Sequence, residues 1–298
     1  EMTRAAPNTN LNQVVYDAGT GYTHHLIRSF RKSKGPVPWP SNHASCPSFD
    51  TLQDMINDYL DESPNDYRTT RKQALVRDGF RCVISGSFDR NSFVHDRELQ
   101  GMAASAGPGF GIVDTQCCHI LSESTTQGID PDGNPAKRNH ASHVFSVLSN
   151  FGLEGLVSKF MDAGGIHDLT NVLTLRKDLH SSFDNLDIWL ERTQTLHEYK
   201  LCFANQMFLW AYPNIKSIVK FTTQNAQTTV RGKTVELPLP DSRLLSIHAA
   251  CARVAHMSGA AEYLDKWERD LEDSTVLARD GSFVALLSDL LRAHTYVE

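Results

Sequence analysis

The chain of 298 residues is 40% hydrophobic and 21% charged, which is typical of globular proteins and excludes a disordered or fibrous chain. Its length suffices for one large domain or two ordinary ones. A formal net charge of −6 argues against a protein whose whole surface binds nucleic acid, but it is compatible with a local basic patch beside an acidic site.

The sequence predicts an intracellular protein, cytoplasmic or nuclear. It has no run of about 18 apolar residues that would predict a transmembrane helix. Residues 1–10 lack the apolar core of a secretion signal. Of its 6 cysteines only Cys117 and Cys118 are near neighbours, and no pair has C-x-x-C spacing. This pattern favours reduced thiols over a disulfide framework or a four-cysteine zinc site.

Three regions are predicted in chain order: an N-terminal extension (1–65), a central region (66–192) and a mostly helical C-terminal region (193–298). In the first region, helical spacing and a basic stretch predict a helix at 51–63 and an exposed helix at 24–34. Within the central region we expect helices at 66–81 and 140–163, strands near 81–89 and 113–121, loops at 101–111 and 123–139, and a strand, helix and strand over 168–191. In the C-terminal region we expect short strands at 215–223 and 233–240 and helices at 241–273 and 282–294.

Four short motifs follow one another in the central region: CVISG (82–86), CHIL (118–121), LTNVLTL (169–175) and LHSSFD (179–184). His180 and Asp184 are four residues apart, so on a helix both can point at one metal ion. A histidine such as His119 has a pKa near neutrality and can accept a proton from water. A metal held by imidazole and carboxylate can neutralise charge on phosphate oxygens.

The order of these motifs and the N-x8-H-x3-D spacing resemble the HNH endonuclease superfamily, most closely fungal proteins that carry an HNH nuclease signature. The resemblance spans about 66–192, and more loosely 241–264. It implies an α+β fold in which a ββα-metal module is embedded in a larger, mostly helical domain. The implied function is divalent-metal-dependent hydrolysis of nucleic-acid phosphodiester bonds, in DNA more than RNA.

By position, the resemblance implies that His119 is the general base and that Asn171 braces the loop and strand around it. It also implies that His180 and Asp184 are the metal ligands. One divalent ion is expected, Mg²⁺ first, with Mn²⁺ or Zn²⁺ as alternatives. Arg176 and Lys177, beside the metal helix, are the predicted phosphate contacts.

Two departures from the family pattern stand beside these expectations. Many members have an acidic or histidine ligand just before the base, where this chain has Cys118, and a thiol is a poor ligand for magnesium. Side chains alternate along a strand, so Cys117 and His119 share a face, and Cys118 is expected to point away from the metal site unless a bulge intervenes. Ser85 stands where the second cysteine of a zinc knuckle would be, so that zinc is predicted to be absent.

Several residues have a plainer interpretation. His167 is interpreted as a loop histidine near the mouth of the site rather than as a ligand. For the basic residues of 66–81, solvated helix charge is favoured over phosphate contact. These residues are Arg68, Arg71, Lys72, Arg77 and Arg81.

Two rival functions remain open from the sequence. A metalloenzyme acting on a small molecule would have a closed, partly apolar pocket lined by the insert at 140–163. An inactive interaction module would bind metal weakly and offer a helical surface to partners. A positive groove beside the metal site would instead favour the nuclease. The oligomeric state is left open.

Overall fold

The computed structural model describes residues 11–31, 51–61, 66–106, 111–126, 129, 135–212, 215–222, 227–230 and 232–273. These residues form helices and small sheets, which confirms the predicted α+β class. No helix among them is long and apolar enough to cross a bilayer.

The helices lie along the whole described chain, and the strands are short. The helices are α1 (Leu11–Gly21), α2 (Leu52–Asp61), α3 (Tyr67–Arg77), α4 (Arg90–His95), α5 (Arg97–Ala106), α6 (Pro135–Asn150), α7 (Glu154–Met161), α8 (Lys177–Asp184), α9 (Met207–Ala211), α10 (Ser242–Ser258) and α11 (Ala260–Asp273). A π-helical segment (Tyr22–Ile27) follows α1. The strands are β1 (Phe88–Asp89), β2 (Ile112–Val113), β3 (Thr115–His119), β4 (Val172–Arg176), β5 (Ile188–Arg192), β6 (Glu198–Phe203), β7 (Ile218–Lys220), β8 (Gln227–Val230) and β9 (Lys233–Glu236).

The centre of the fold is the antiparallel ribbon of β3 and β4, in which Thr115 pairs with Arg176 and His119 with Val172. Helix α3 packs on one face of this ribbon and α8 also packs against it. Because side chains alternate along a strand, the two faces of the ribbon contribute residues to two different hydrophobic clusters. Cys117 belongs to the cluster of α2 and α3, and Cys118 to the larger cluster that includes α6, α8 and α10.

Arg77, at the end of α3, is 1% exposed and connects this helix to the chain at the start of β4. Its guanidinium donates to the carbonyls of Leu169 (2.7 Å) and Val172 (2.8 Å). It also pairs with both carboxylate oxygens of Asp78, at 2.8 and 2.9 Å. The expectation that Arg77 is solvated was therefore wrong, and burial also removes it from phosphate contact.

Other elements depart from the sequence predictions for local reasons. The expected loop at 101–111 is helical up to residue 106, as part of α5. In the basic stretch expected as an exposed helix at 24–34, the described residues 24–31 are helical up to residue 29 and not simply exposed, because residues 26, 27, 30 and 31 are buried. The helix expected over 241–273 divides at Gly259, which has a φ of 75°. The helix expected at 282–294 lies outside the described residues.

The loop that follows α7 depends on a glycine. A Cβ on Gly165 would lie 1.8 Å from the backbone oxygen of Lys159, a distance that no side-chain rotation can relieve. Two residues further on, this loop carries His167, whose amide donates to the carbonyl of Gly164 at 2.9 Å. The close approach of two backbone segments therefore fixes where His167 lies.

We expect Gly165→Ala to lower the free energy of unfolding by about 3–5 kcal/mol, because the backbone must shift to admit the methyl group. Gly155→Ala is the matched control: this helical glycine has nothing within 4 Å of its Cβ position. Alanine there should be neutral or stabilise by up to about 1 kcal/mol. Chemical denaturation of both variants tests this, and equal stability of the two would contradict the close approach.

A histidine cluster joins the π-helical segment to α6. The Nδ1 atoms of His25 and His140 are 3.0 Å apart, and the ring of His25 stacks on that of His143 with centroids 4.8 Å apart. Burial, together with neighbouring positive charge, lowers the pKa of His25 and of His140 from 6.5 to about 4. Between these values the unfolded chain binds protons that the folded chain does not.

Stability should therefore be complete above about pH 6.5 and should fall as the pH drops toward 4. We expect His140→Gln to reduce this loss by on the order of 1 kcal/mol, after allowance for partial solvent screening. The measurement is the free energy of unfolding at pH 7, 5.5 and 4.5. His95→Gln, an exposed histidine on α4, should leave the pH dependence unchanged. An identical slope in wild type and His140→Gln would contradict the assignment.

Candidate metal centre

Cys118, His180 and Asp184 form the first group of convergent donors. Their ligand atoms all lie within 4.8 Å of one another. The Cys118 thiol is 3.8 Å from Oδ1 of Asp184, and Nε2 of His180 is 3.3 Å from the other carboxylate oxygen. The expectation that Cys118 points away from the metal site was therefore wrong. Alternation along β3 holds, but the face that Cys118 shares is the one on which α8 packs.

The sequence of α8 explains how two candidate ligands are presented together. Leu179, Ser182 and Phe183 recur at helical spacing and are buried, which fixes the rotation of the helix. His180 and Asp184 then lie side by side at the edge of this buried face. Within β3, Gln116 accepts a hydrogen bond at 2.8 Å from Nδ1 of His180. That contact leaves Nε2 of His180 as the nitrogen available to a metal.

The donor set fits a metal with one protein ligand each of sulfur, nitrogen and oxygen. Three protein ligands that leave a coordination position open are typical of catalytic zinc sites. In the protein without a metal, burial and the nearby Asp184 carboxylate raise the pKa of the Cys118 thiol well above its ordinary value. A coordinated cation would reverse this balance, because a metal-bound thiol loses its proton.

His119 lies one residue further along β3 and belongs to a second group of donors, with His167 and Glu123. Its Nε2 is 3.0 Å from Nδ1 of His167, and Nε2 of His167 is 3.9 Å from Glu123. The ring of Tyr67 lies against both imidazoles, with centroids at 6.1 and 6.4 Å. Burial, then His167 and His180, lowers the pKa of His119 to about 3. His119 is therefore neutral at pH 7.

Asn171 is fully buried and holds the segments around His119 together. Its Oδ1 accepts from the amide of Leu121 at 2.9 Å. Its Nδ2 donates to the carbonyls of Leu121 (3.1 Å) and Ile166 (2.9 Å). One side chain thus connects the chain just after His119 with the chain just before His167.

His248, on α10, packs against α8, the helix that carries His180 and Asp184. It was not identified as a candidate from the sequence. Its ring stacks on Phe183 with centroids 3.8 Å apart, and its Nε2 donates to the carbonyl of Phe183 at 3.2 Å. Phe183 stands next to Asp184, so α10 sets the position of the last turn of α8. Only the loose resemblance over 241–264 pointed to this region.

Arg176 and Lys177 line an open groove of about 620 Å³ at the start of α8. Arg176 is held by both carboxylate oxygens of Asp178, at 2.6 and 2.7 Å, whereas the side chain of Lys177 is exposed. The groove mixes three cations with two anions. Its lining is Arg90, Ile112, Val113, Asp114, Arg176, Lys177, Asp178, Ser181 and Ser182.

Comparison with known proteins agrees with this geometry. The family model described as HNH endonuclease matches residues 82–191. This segment therefore belongs to the HNH endonuclease superfamily, which confirms the resemblance seen in the sequence. No curated protein and no solved structure matches the chain, so the closer relationship to fungal members stays a prediction.

Replacing Asn171 by Asp should lower the free energy of unfolding by about 3–5 kcal/mol. A carboxylate cannot donate to the two buried carbonyls and would place a charge among them. Thermal or chemical denaturation measures the change. Asn91→Asp, at an exposed position in the first turn of α4, introduces the same charge and should alter stability by no more than about 0.5 kcal/mol. A similar small effect at Asn171 would rule out the bracing contacts.

Proposed function

We propose that the protein is a metal-dependent endonuclease in which His119 is the general base and Cys118, His180 and Asp184 hold one divalent ion. The observation that carries the proposal is the convergence of three donors, one of them directly before His119 in β3, within an HNH endonuclease segment. Such an ion, when bound, would neutralise charge on the phosphate and on the leaving oxygen. The chain itself supplies the donors, the base and the groove.

The donor set favours a borderline ion such as Zn²⁺ over the Mg²⁺ expected first from the sequence. Magnesium prefers oxygen ligands and retains several waters, while a thiolate selects softer ions. The buried Cys118 thiol faces Asp184, so a hard ion in this site would have to leave that thiol outside its coordination sphere. Zn²⁺ can use all three donors with one position remaining for water or phosphate.

The hydrogen bonds around His119 support its role as the base. Nε2 of His167 faces the carboxylate of Glu123, which favours a proton on that nitrogen. Nδ1 of His167 is then an acceptor, and Nε2 of His119 donates to it. Nδ1 of His119 keeps its lone pair and can take a proton from water. In this arrangement His167 and Glu123 are positioning residues, because they act through His119.

The groove at the start of α8 favours an anionic substrate over a small molecule, although its lining includes neither His119 nor the three candidate donors. It is open, seven of its nine lining residues are polar or charged, and neither α6 nor α7 contributes to it. The small-molecule alternative required a closed pocket lined by those helices. We propose that Lys177 meets a substrate phosphate, and that Arg176 does so only by exchanging its contact with Asp178. Duplex DNA is the proposed substrate, ahead of RNA.

We expect metal-dependent cleavage of supercoiled plasmid, with Zn²⁺, Co²⁺ or Mn²⁺ supporting a higher rate than Mg²⁺. His119→Ala should lower the rate about 10²–10⁴-fold while the ion at Cys118, His180 and Asp184 is retained, because the base is not a ligand of that site. Asp184→Asn should lower both the rate and the metal affinity. Plasmid nicking and metal binding by equilibrium dialysis are the two measurements.

His95→Ala and Asp162→Asn, both exposed and outside the two donor groups, are the matched controls and should cleave at the wild-type rate. Supercoiled, linear duplex and single-stranded DNA and RNA should each be tested with metal and with chelator. A wild-type protein that binds metal but cleaves none of these substrates would contradict the nuclease proposal. Equal activity of wild type and His119→Ala would contradict the assignment of the base.

A further inference from the structure

We propose that His119, His167 and Glu123 form a second metal site, at which a transition-metal ion of the zinc class binds and switches off the base. The donors converge without any contribution from the Cys118, His180 and Asp184 group. The site itself is independent of the proposed function, whereas its inhibitory effect rests on it. Metal binding at this site and inhibition by the bound metal can therefore be tested, and can fail, independently of each other.

The geometry requires little movement to accept an ion. Two nitrogens bound to zinc at about 2.0–2.1 Å in a tetrahedron lie about 3.3 Å apart. Nε2 of His119 and Nδ1 of His167 are already 3.0 Å apart. All three ligand atoms lie within 4.8 Å of one another, and the Glu123 side chain is 30% exposed, so that its carboxylate can close the remaining gap.

The surroundings favour a cation at this place. Each imidazole offers one ring nitrogen to this place, and neutral imidazole is the form that binds metal. Glu123 carries a carboxylate. The carboxylate of Asp66, the residue that caps the N-terminus of α3, adds a second source of negative potential at His167. Two nitrogens and one carboxylate oxygen also match the donor set of many zinc sites.

A metal bound at this site would prevent His119 from accepting a proton, because it changes which ring nitrogen carries the lone pair. A neutral imidazole carries one proton and one lone pair. With Nε2 of His119 bound to an ion, the proton must sit on Nδ1, which then cannot accept another from water. The same ion would displace the hydrogen bond between His119 and His167. Excess metal would thus inhibit the enzyme that a first equivalent activates.

Cobalt titration of the full chain separates the two sites, because a thiolate ligand gives a near-ultraviolet charge-transfer band and an N/N/O site does not. We expect wild type to bind two Co²⁺ per chain. His167→Gln and Glu123→Gln should each bind one ion at wild-type affinity, with the thiolate band intact, and bind the second at least about tenfold more weakly. Cys118→Ser should lose the thiolate band and keep the ion at the second site. His95→Gln controls for adventitious binding to a surface histidine.

Wild type that binds a single ion, or His167→Gln and Glu123→Gln that both still bind two at wild-type affinity, would overturn the second site. Loss of secondary structure in one variant leaves the other to decide, since Glu123 is partly exposed and Gln is nearly isosteric with it. For inhibition, each variant is compared with its own maximal cleavage rate, and half-inhibition of Glu123→Gln should need at least about tenfold more Zn²⁺ than wild type. A protein that binds two ions but cleaves no substrate would support the second metal site and contradict the proposed nuclease function.

Discussion

Alternation of side chains along β3 is the constraint on which both donor groups depend. Successive residues of a paired strand must face opposite sides, so Cys118 and His119 cannot enter the same layer of the fold. The protein places a helix on each side of the ribbon and gives each side its own polar partners. Cys118 contacts the candidate ligands of α8, while His119 contacts the loop that carries His167. Adjacent residues thus serve two neighbouring but chemically different environments.

Polar contacts in the interior hold the segments that carry these residues in place. The amide oxygen and nitrogen of Asn171 both form hydrogen bonds with buried backbone groups. The buried guanidinium of Arg77 also donates to a backbone carbonyl. Each contact links stretches of chain distant in sequence. Leaving such buried groups unpaired costs more free energy than forming the bonds returns. Precise placement of the donors therefore rests on a few polar residues as well as on the hydrophobic clusters.

The sequence predicted the parts of this arrangement that follow from local periodicity. The helical spacing of His180 and Asp184, the strand that carries His119 and the apolar run of β4 all appear as expected. Local spacing could not say which face of β3 would receive α8, since that depends on packing between residues more than 50 positions apart. The misjudged direction of Cys118 has this origin. The role of His248 was missed for the same reason, because a buried histidine on a helix has no distinctive local pattern.

The supports of the metal helix reach beyond the segment that defines the family. Arg77 precedes residue 82 and His248 follows residue 191, yet the first anchors β4 and the second seats the last turn of α8. The amide of Asp241 also donates to the carbonyl of Thr170 at 2.8 Å, immediately before Asn171. The segment 82–191 that matches the family model therefore depends on residues outside its own bounds. Excised at residues 82 and 191, it would keep its candidate metal ligands and lose the contacts of Arg77 and His248, so a fragment that retains these contacts must run from α3 through α10.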